Sequence, residues 1–202
     1  MTTGQRPPKS QSDPDWPLVQ RVQGGDDDAF RELFLRFQRP VFNLVARILG
    51  RREEAEDICQ EVFISIRRAL PRFKSESRLS TWIYRVTVNH ALNRLKSLRR
   101  REGIEVPPDE GIEESHNPGT GVHGHAEESP EDSAGHRQLL GIVEREMCAL
   151  NPEFRLILVL RDIQGLSYQE ISRVLDTSEG TVKSRLHRAR DELKKRMEPY
   201  LV

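Results

Sequence analysis

One stretch near the C-terminus decides the fold: residues 165–196 read GLSYQEISRVLDTSEGTVKSRLHRARDELKKR. Ser167 and Glu170 have the spacing of a capping box, which predicts that a helix begins there. Cap and turn formers at residues 176–180 should end this helix, and Ser178 is a good N-cap for a second one. The second helix carries a row of cations, so the pattern favours a helix-turn-helix that enters a DNA major groove. A surface hairpin with a solvated charged face has the same pattern.

Helical spacing of apolar residues extends over most of the remaining chain, and no stretch alternates as a strand would. The predicted helices cover about residues 16–23, 29–49, 53–70, 81–101 and 137–150, followed by a largely buried helix from Asn151 to Ile163. Pro40 should kink or interrupt the second helix. The predicted fold class is therefore all-α, with two small helical domains joined by a flexible acidic linker and the helix-turn-helix in the C-terminal domain. The predicted boundaries are a disordered tail at 1–15, a first domain at 16–101, the linker at 102–135 and a second domain at 136–202.

The net charge of zero, from 32 Lys and Arg against 32 Asp and Glu, hides a strong segregation. Residues 18–101 hold 18 cations and 10 acids, a balance of +8, whereas residues 102–135 hold 10 acids and no Lys or Arg, a balance of −10. The first block therefore favours a polyanionic partner. The acidic block is expected to be a self-repelling linker that could compete with that partner.

Composition argues against several other classes of protein. The isolated Cys59 and Cys148 predict free thiols in a cytoplasmic protein. The polar N-terminus and the absence of an apolar run of about 18 residues predict no signal peptide and no membrane insertion. No catalytic motif occurs, and the histidines at positions 116, 123, 125 and 136 fall in or beside the linker without a preorganised cluster. We therefore expect no enzyme activity, no cofactor and no metal site.

The predicted helix 81–101 combines base-stacking, base-reading and phosphate-binding side chains. Trp82 can stack on a base, Asn89 can hydrogen-bond a base edge, and cations on the same side can hold phosphates. The preceding loop, residues 73–80, reads FKSESRLS and is suited to line a pocket for an extruded base. Tyr84 falls on the apolar stripe and is expected in the core. For Trp82, a core role and a DNA role remain equally open.

A second candidate surface lies on the predicted helix 53–70. Exposed Ile64 beside Asp57, Gln60 and Glu61 suggests a patch where another protein docks. An ordinary solvated helix face would also account for these residues.

Four motifs now occur in a recognisable order: DAFRELFLRFQRPVFNLVARILG, EAEDICQEVFISIRRALPRF, RLSTWIYRVTVNHALNRLKSLRRR and LNPEFRLILVLRDIQGLSYQEISRVLDTSEGTVKSRLHRARDEL. Together they resemble the extracytoplasmic-function group of bacterial sigma factors, which have two domains. The resemblance covers nearly all of the chain except the tail and the linker. It implies a non-enzymatic transcription initiation factor that binds core RNA polymerase, recognises a −35/−10 promoter and opens the −10 region.

The resemblance also implies roles for particular residues. Docking on the clamp helices of the largest polymerase subunit would use Asp57, Gln60, Glu61 and Phe63. Reading and melting of the −10 element would use Ser80, Thr81, Trp82, Arg85 and Asn89. Recognition of the −35 element as duplex would use Lys183, Ser184, Arg185, His187 and Arg188, with Thr181 near the backbone. The implied partners are core RNA polymerase (clamp helices and flap), promoter DNA and an anti-sigma factor, while the linker would thread toward the active-site channel.

Two other functions compete with this one. A stand-alone helix-turn-helix regulator would bind duplex DNA without polymerase and would not need residues 18–101. A helical adaptor or anti-sigma-type interaction protein would have no DNA role and would tolerate alanine at Lys183, Arg185 and Arg188.

Overall fold

The structure, a computed structural model, describes residues 13–101 and 132–200, with side chains from residue 139 onward in the second range. Within these ranges the chain forms eight α-helices and no β-strand, which confirms the all-α prediction. The helices are α1 (Trp16–Gln23), α2 (Asp27–Leu49), α3 (Arg52–Ala69), α4 (Leu79–Arg101), α5 (Asp132–Ala149), α6 (Pro152–Leu158), α7 (Tyr168–Leu175) and α8 (Glu179–Met197). A 3-10 turn, Leu70–Arg72, follows α3, and a π-helical turn, Val159–Ile163, follows α6.

The chain divides into two compact units. Of the described residues, 13–101 and 172–176 belong to the first unit, and 132–171 with 177–200 belong to the second. The predicted tail up to residue 12 and the acidic segment 102–131, with three of the four linker histidines, lie outside the described residues.

The first unit packs α1 to α4 around one apolar core. Helix α2 contacts α1, α3 and α4, and α3 contacts α4. Fully buried side chains on the predicted apolar stripes form much of this core, among them Leu33, Val41, Val62 and Ile66. Burial of each such side chain contributes about 1.5–3 kcal/mol. Tyr84 is also buried, as predicted, and burial raises the pKa of its phenol.

Residues suited to helix termini bound α2, which begins two residues before its predicted start. Asp26 Oδ1 accepts the Ala29 N–H at 3.0 Å, which caps the N-terminus. Gly50 ends the helix in a left-handed conformation with φ of 68°, where glycine pays no side-chain penalty. The expected interruption at Pro40 does not occur, because α2 runs through it as one helix. Buried residues on both sides, such as Phe37 and Val41, outweigh the one hydrogen bond that a proline removes.

The Asp26 cap makes part of the stability depend on pH. Its pKa is lowered because the carboxylate accepts the Ala29 N–H and a second hydrogen bond from Arg21. An unfolded Asp has a pKa of about 3.9, and the pKa of Asp26 in the folded chain lies below it. The ionised carboxylate therefore stabilises the fold fully above the unfolded pKa. This stabilisation is lost as the pH falls through the folded pKa. Asp26→Asn keeps an oxygen for the cap but cannot ionise. At neutral pH we expect this variant to have a lower free energy of unfolding than the parent chain. In strong acid the two free energies should be equal, as measured by urea unfolding at both pH values. An equal deficit at both pH values would contradict this cause.

Helix α4 begins two residues, and helix α5 five residues, before the start that the sequence predicts. Helix α4 begins at Leu79, so the loop before it covers residues 73–78 rather than 73–80. Leu79 is fully buried, and its N–H donates to Asp13 Oδ2 at 2.6 Å, a partner 66 residues away that no local pattern signals. Helix α5 begins at Asp132, inside the predicted linker.

The second unit packs α6 against α8, and α5 contacts both of them. The sequence predicts Asn151 as the N-cap of α6, and this is confirmed, because its Oδ1 accepts the Glu153 N–H at 3.0 Å. Arg155 is buried, which the sequence did not predict. Its Nη2 donates to the carbonyl oxygens of Cys148 at 2.6 Å and Leu150 at 3.3 Å. The prediction that Ile163 is buried was wrong, since it is 40% exposed. The π-helical turn that ends at this residue changes the helical register and accounts for the difference.

Candidate functional site

The first helix of the helix-turn-helix begins with the capping box that the sequence predicts. The Ser167 N–H donates to Glu170 Oε2 at 2.9 Å, and the Glu170 N–H donates to Ser167 Oγ at 3.2 Å. Gly165, with φ of 69°, ends the preceding helical segment. Ile171 and Val174 are buried on one face of α7. These contacts fix where α7 starts and which way it faces.

The second helix, α8, follows a tight turn. Asp176 has φ of 52°, a left-handed conformation that Asp tolerates better than most residues. Ser178 Oγ then accepts the Thr181 N–H at 3.0 Å, which confirms the predicted N-cap. Val182, Leu186 and Ala189 are buried along the inner stripe. The opposite side of α8 is therefore turned to solvent.

That side presents five of the six predicted DNA-contacting side chains. Lys183, His187 and Arg188 are exposed, and half-buried Ser184 lies one turn before Arg188. The His187 ring lies 3.3 Å from the Asp191 carboxylate on the same helix. Thr181 is half-buried at the start of the row. The surface these residues share is called the α8 row below.

Arg185 does not share the α8 row. Its side chain is only 18% exposed, and its Nη1 lies 4.0 Å from Glu153 Oε2 on α6. Tyr168, at the start of α7, has the Arg161 guanidinium 4.8 Å and the Lys183 ammonium 5.9 Å from its ring centroid. Attraction between a cation and an aromatic face restrains both cations. Tyr168 therefore helps to place Lys183 and is a residue that the sequence did not single out.

The predicted docking patch on α3 is partly exposed and partly buried. Asp57, Gln60, Glu61 and Ile64 are exposed. Phe63, predicted beside them, is 5% exposed and packs edge-on against Phe34 of α2, with ring centroids 4.7 Å apart.

Phe63 forms part of the wall of a groove of about 360 Å³ between α2 and α3. The groove is lined by Phe34, Gln38, Arg39, Phe42, Glu56, Cys59, Gln60 and Phe63. Half of this lining comes from α2, whose apolar stripe the sequence assigns to the core. Phe34, which the sequence places on that stripe, is exposed in the structure, as is the neighbouring Leu35. We call this feature the α2–α3 groove.

The two cysteines are free, as predicted. Burial raises the pKa of the Cys59 thiol, so this side chain in the groove keeps its proton at neutral pH. Within residues 13–101 and 139–200, no cluster of three or more His, Cys, Asp or Glu side chains could hold a metal ion. In the part of the chain that the structure describes, no helix is both long enough and apolar enough to span a membrane.

Helix α4 presents only some of the predicted −10 residues. Arg85 and Asn89 are exposed, and Ser80 is half-buried in the first turn. The helical spacing of the sequence places Thr81 on the outward-facing side of this helix with Arg85 and Asn89, but this prediction was wrong, because Thr81 is 2% exposed. It lies in the first turn of α4, the end of the helix against which Asp13 packs.

Trp82, for which the sequence left a core role and a DNA role equally open, is only partly buried. It is half-buried against the core cluster, and its ring centroid lies 5.1 Å from that of Phe73, at the start of the 73–78 loop. Part of the indole is therefore fixed by packing while part remains accessible.

Comparison with known proteins places the whole chain in one family. Residues 33–101 match sigma-70 region 2, and residues 140–193 match sigma-70 region 4. The chain is 37% identical over 189 residues to the RNA polymerase sigma-H factor of Pseudomonas aeruginosa. The aligned residues cover 93% of this chain and 95% of that protein. It is 37% identical over 186 residues to the ECF RNA polymerase sigma-E factor of Escherichia coli K12, covering 91% and 94%.

Solved structures share the fold. CnrH, in complex with the cytosolic domain of CnrY, superposes with a TM-score of 0.63 at 22% identity, covering 91% of this chain and 96% of CnrH. The sigma factor RpoE of Bartonella quintana, in complex with the anti-sigma factor NepR, gives 0.61 at 18% identity, covering 84% and 96%.

Proposed function

We propose roles for individual residues from the premise that this chain belongs to the extracytoplasmic-function group of the sigma-70 family, whose members direct RNA polymerase in transcription initiation. The observation that carries the proposal is that regions 2 and 4 occur in order within one chain. A stand-alone regulator would need only the helix-turn-helix, and a helical adaptor would need no cationic row on α8. Residues 16–101 would form the polymerase-docking and promoter-opening domain, 102–135 the linker, and 136–202 the domain that binds the −35 element.

The α8 row would read the −35 element as duplex DNA. Lys183 and Arg188 are exposed on one side of a helix whose opposite side is buried, the arrangement that lets a recognition helix enter a major groove. Ser184, His187 and Thr181 would make the shorter polar contacts. Arg185 would reach DNA only by leaving its place near Glu153, so we expect it to contribute less than its neighbours.

Helix α4 and the loop before it would open the −10 element. Arg85 and Asn89 are accessible to phosphates and base edges, and the half-exposed face of Trp82 can stack on an unpaired base. Ser80 lies at the junction of the loop and the helix, where it would contact an extruded base. The buried Thr81 would support this surface without touching DNA.

The α2–α3 groove and the acidic face beside it would dock on the clamp helices of the largest polymerase subunit. Asp57, Gln60 and Glu61 supply an exposed polar rim. Exposed Ile64 and the groove supply apolar surface next to it. A polar rim around apolar surface is the usual composition of a protein interface. Phe63 would then act by shaping the groove floor.

Regulation would come from an anti-sigma factor, the class of partner bound to RpoE in its solved complex. The protein would act in the cytoplasm, with RNA polymerase, and region 4 would also contact the polymerase flap. The acidic linker would compete with nucleic acid for basic surfaces near the active-site channel.

Run-off transcription with core RNA polymerase tests the proposed function. We expect transcripts from promoters of the chain's own genome only when the chain and core polymerase are both present. Permanganate reactivity of thymines near −10 should appear in the same reactions. A folded chain that gives no polymerase-dependent initiation at any such promoter, or that binds duplex equally well without polymerase, would overturn the proposal.

A further inference from the structure

The loop at residues 73–78 is held at both ends by side chains from the N-terminal segment of the first unit. Asp13, before α1, contacts the residue that follows the loop, and Gln23, at the end of α1, contacts the residue that begins it. These contacts join positions 66 and 50 residues apart. The N-terminal segment therefore restrains a loop that lies 50 or more residues further along the chain.

Asp13 supplies the N-terminal cap of α4. Its carboxylate is 5% exposed, and Oδ2 accepts the N–H of Leu79, the first residue of the helix, at 2.6 Å. The first N–H groups of a helix have no partner within the helix, and a negative charge there is stabilised by the helix dipole. A buried carboxylate in this position satisfies both requirements.

The two described residues just before α4, Ser77 and Arg78, do not supply its cap. The residue before Leu79 is Arg78, whose side chain has no oxygen to accept a hydrogen bond. The nearby Ser77 hydroxyl donates to the Arg78 carbonyl at 3.3 Å and so points to an acceptor rather than to the helix N–H groups. The cap at this helix terminus therefore comes from a distant part of the chain.

The segment that carries Asp13 is itself anchored. Asp13 Oδ1 accepts the Asp15 N–H at 3.0 Å, and Asp15 Oδ1 lies 2.6 Å from Arg36 Nη1 on α2. The Trp16 N–H donates to the Asp13 carbonyl at 3.1 Å. These contacts restrain the position of the Asp13 carboxylate at the N-terminus of α4.

Gln23 holds the other end of the loop. Its Nε2 donates to the carbonyl oxygens of Leu70 at 3.3 Å and Phe73 at 3.0 Å. Phe73 in turn packs against the Trp82 ring. The position of α1 is thus transmitted through Gln23 and Phe73 to the aromatic side chain that we assign to base stacking.

The loop needs such support because its own conformation is strained. Ser75 has φ of 56°, a left-handed conformation that costs a non-glycine residue energy unless its surroundings impose it. It is also buried, with its hydroxyl lacking a hydrogen-bond partner. Restraints at both ends are the feature that keeps this conformation populated.

We propose that Asp13 and Gln23 are positioning residues for promoter opening, which hold the 73–78 loop and the first turn of α4 in the geometry that receives an unpaired −10 base. This inference rests on the proposed function of α4. Neither residue need touch DNA, since both act through the backbone of the loop. Without either restraint the loop populates other conformations, and the affinity for single-stranded DNA falls in proportion to the population of the competent state.

The test uses the full chain assembled with core polymerase, carrying Asp13→Ala or Gln23→Ala. Three affinities are measured by fluorescence anisotropy: for core polymerase, for a −35 duplex, and for a single-stranded non-template oligonucleotide that spans the −10 element. We expect each variant to bind the single strand about fivefold more weakly, the usual effect of losing a helix cap in Asp13→Ala or a side-chain hydrogen bond in Gln23→Ala. The other two affinities should stay at the parent value. Asp13→Ala should also speed amide exchange at Leu79.

Gln20→Ala and Asp28→Ala are the matched controls, because both replace exposed side chains of the same types in α1 and α2. Parent affinity for the single strand in both test variants would overturn this inference alone. An equal loss of all three affinities would also overturn it, since that result indicates general destabilisation. Failure of the parent chain to bind the single strand would overturn the proposed function and this inference with it.

Discussion

Reversal of two charges on α3, Asp57→Arg with Glu61→Arg, is expected to weaken binding to core RNA polymerase by about two orders of magnitude, since unfavourable charge contacts at an interface cost several kcal/mol. Both carboxylates are exposed and lie one helical turn apart, so they present one acidic surface. Each is next in sequence to a residue that lines the groove, Glu56 and Gln60 respectively. Titration of labelled chain with core polymerase measures the affinity, and run-off transcription should fall with it.

Glu198→Arg is the control for the change of charge. Glu198 is an exposed acid in the second unit, so its reversal should leave the polymerase affinity within a few-fold of the parent. Thermal unfolding of the double variant should match the parent, because exposed positions away from the core tolerate substitution. Unchanged polymerase affinity in a folded double variant would remove α3 from the docking surface.

Removal of two cations from the α8 row, Lys183→Ala with Arg188→Ala, is expected to weaken binding to the −35 duplex. Each phosphate that is no longer neutralised should reduce the slope of log affinity against log salt by about one. Two such phosphates correspond to an affinity roughly thirtyfold lower near physiological salt. Binding measured over a range of KCl concentrations gives both quantities in one experiment.

Lys194→Ala with Lys195→Ala is the matched control, because these exposed lysines lie on the same helix but beyond the α8 row. It removes the same charge from α8 and should leave the salt slope nearly unchanged. Equal effects of the two double variants would mean that α8 attracts DNA only through its total charge, without a defined docking position. Arg185→Ala should fall between them, since this side chain already lies near Glu153.

Local signals in the sequence predicted much of the fold correctly. The capping box at Ser167 and the caps at Ser178 and Asn151 each depend on residues within three positions of one another, so their geometry follows from the sequence. Helical periodicity likewise identified the buried stripes. Interactions that span many residues had no such signal. Asp13 caps α4 at Leu79, two residues before the start that the sequence predicts. Arg155 is buried because its guanidinium donates to main-chain carbonyl oxygens.

The candidate sites were predictable to a similar degree. Exposure of Asp57 and Glu61 on α3, and of Lys183 and Arg188 on α8, follows from the position of each residue on its helix. The contribution of α2 to the groove was not predictable in this way. A groove depends on which side chains of two helices fail to fill the space between them, and periodicity in one helix does not contain that information.

The long-range cap on α4 has a practical consequence for dissecting the protein. A fragment that starts at the first helical residue, Trp16, would contain every helix of the first unit but would omit the carboxylate that completes α4. Its helices could assemble while the loop before α4 lost its anchor, and single-strand binding would then be underestimated. Fragments for spectroscopy or crystallisation should therefore start several residues before Asp13, so that the new terminal charge stays away from the buried carboxylates.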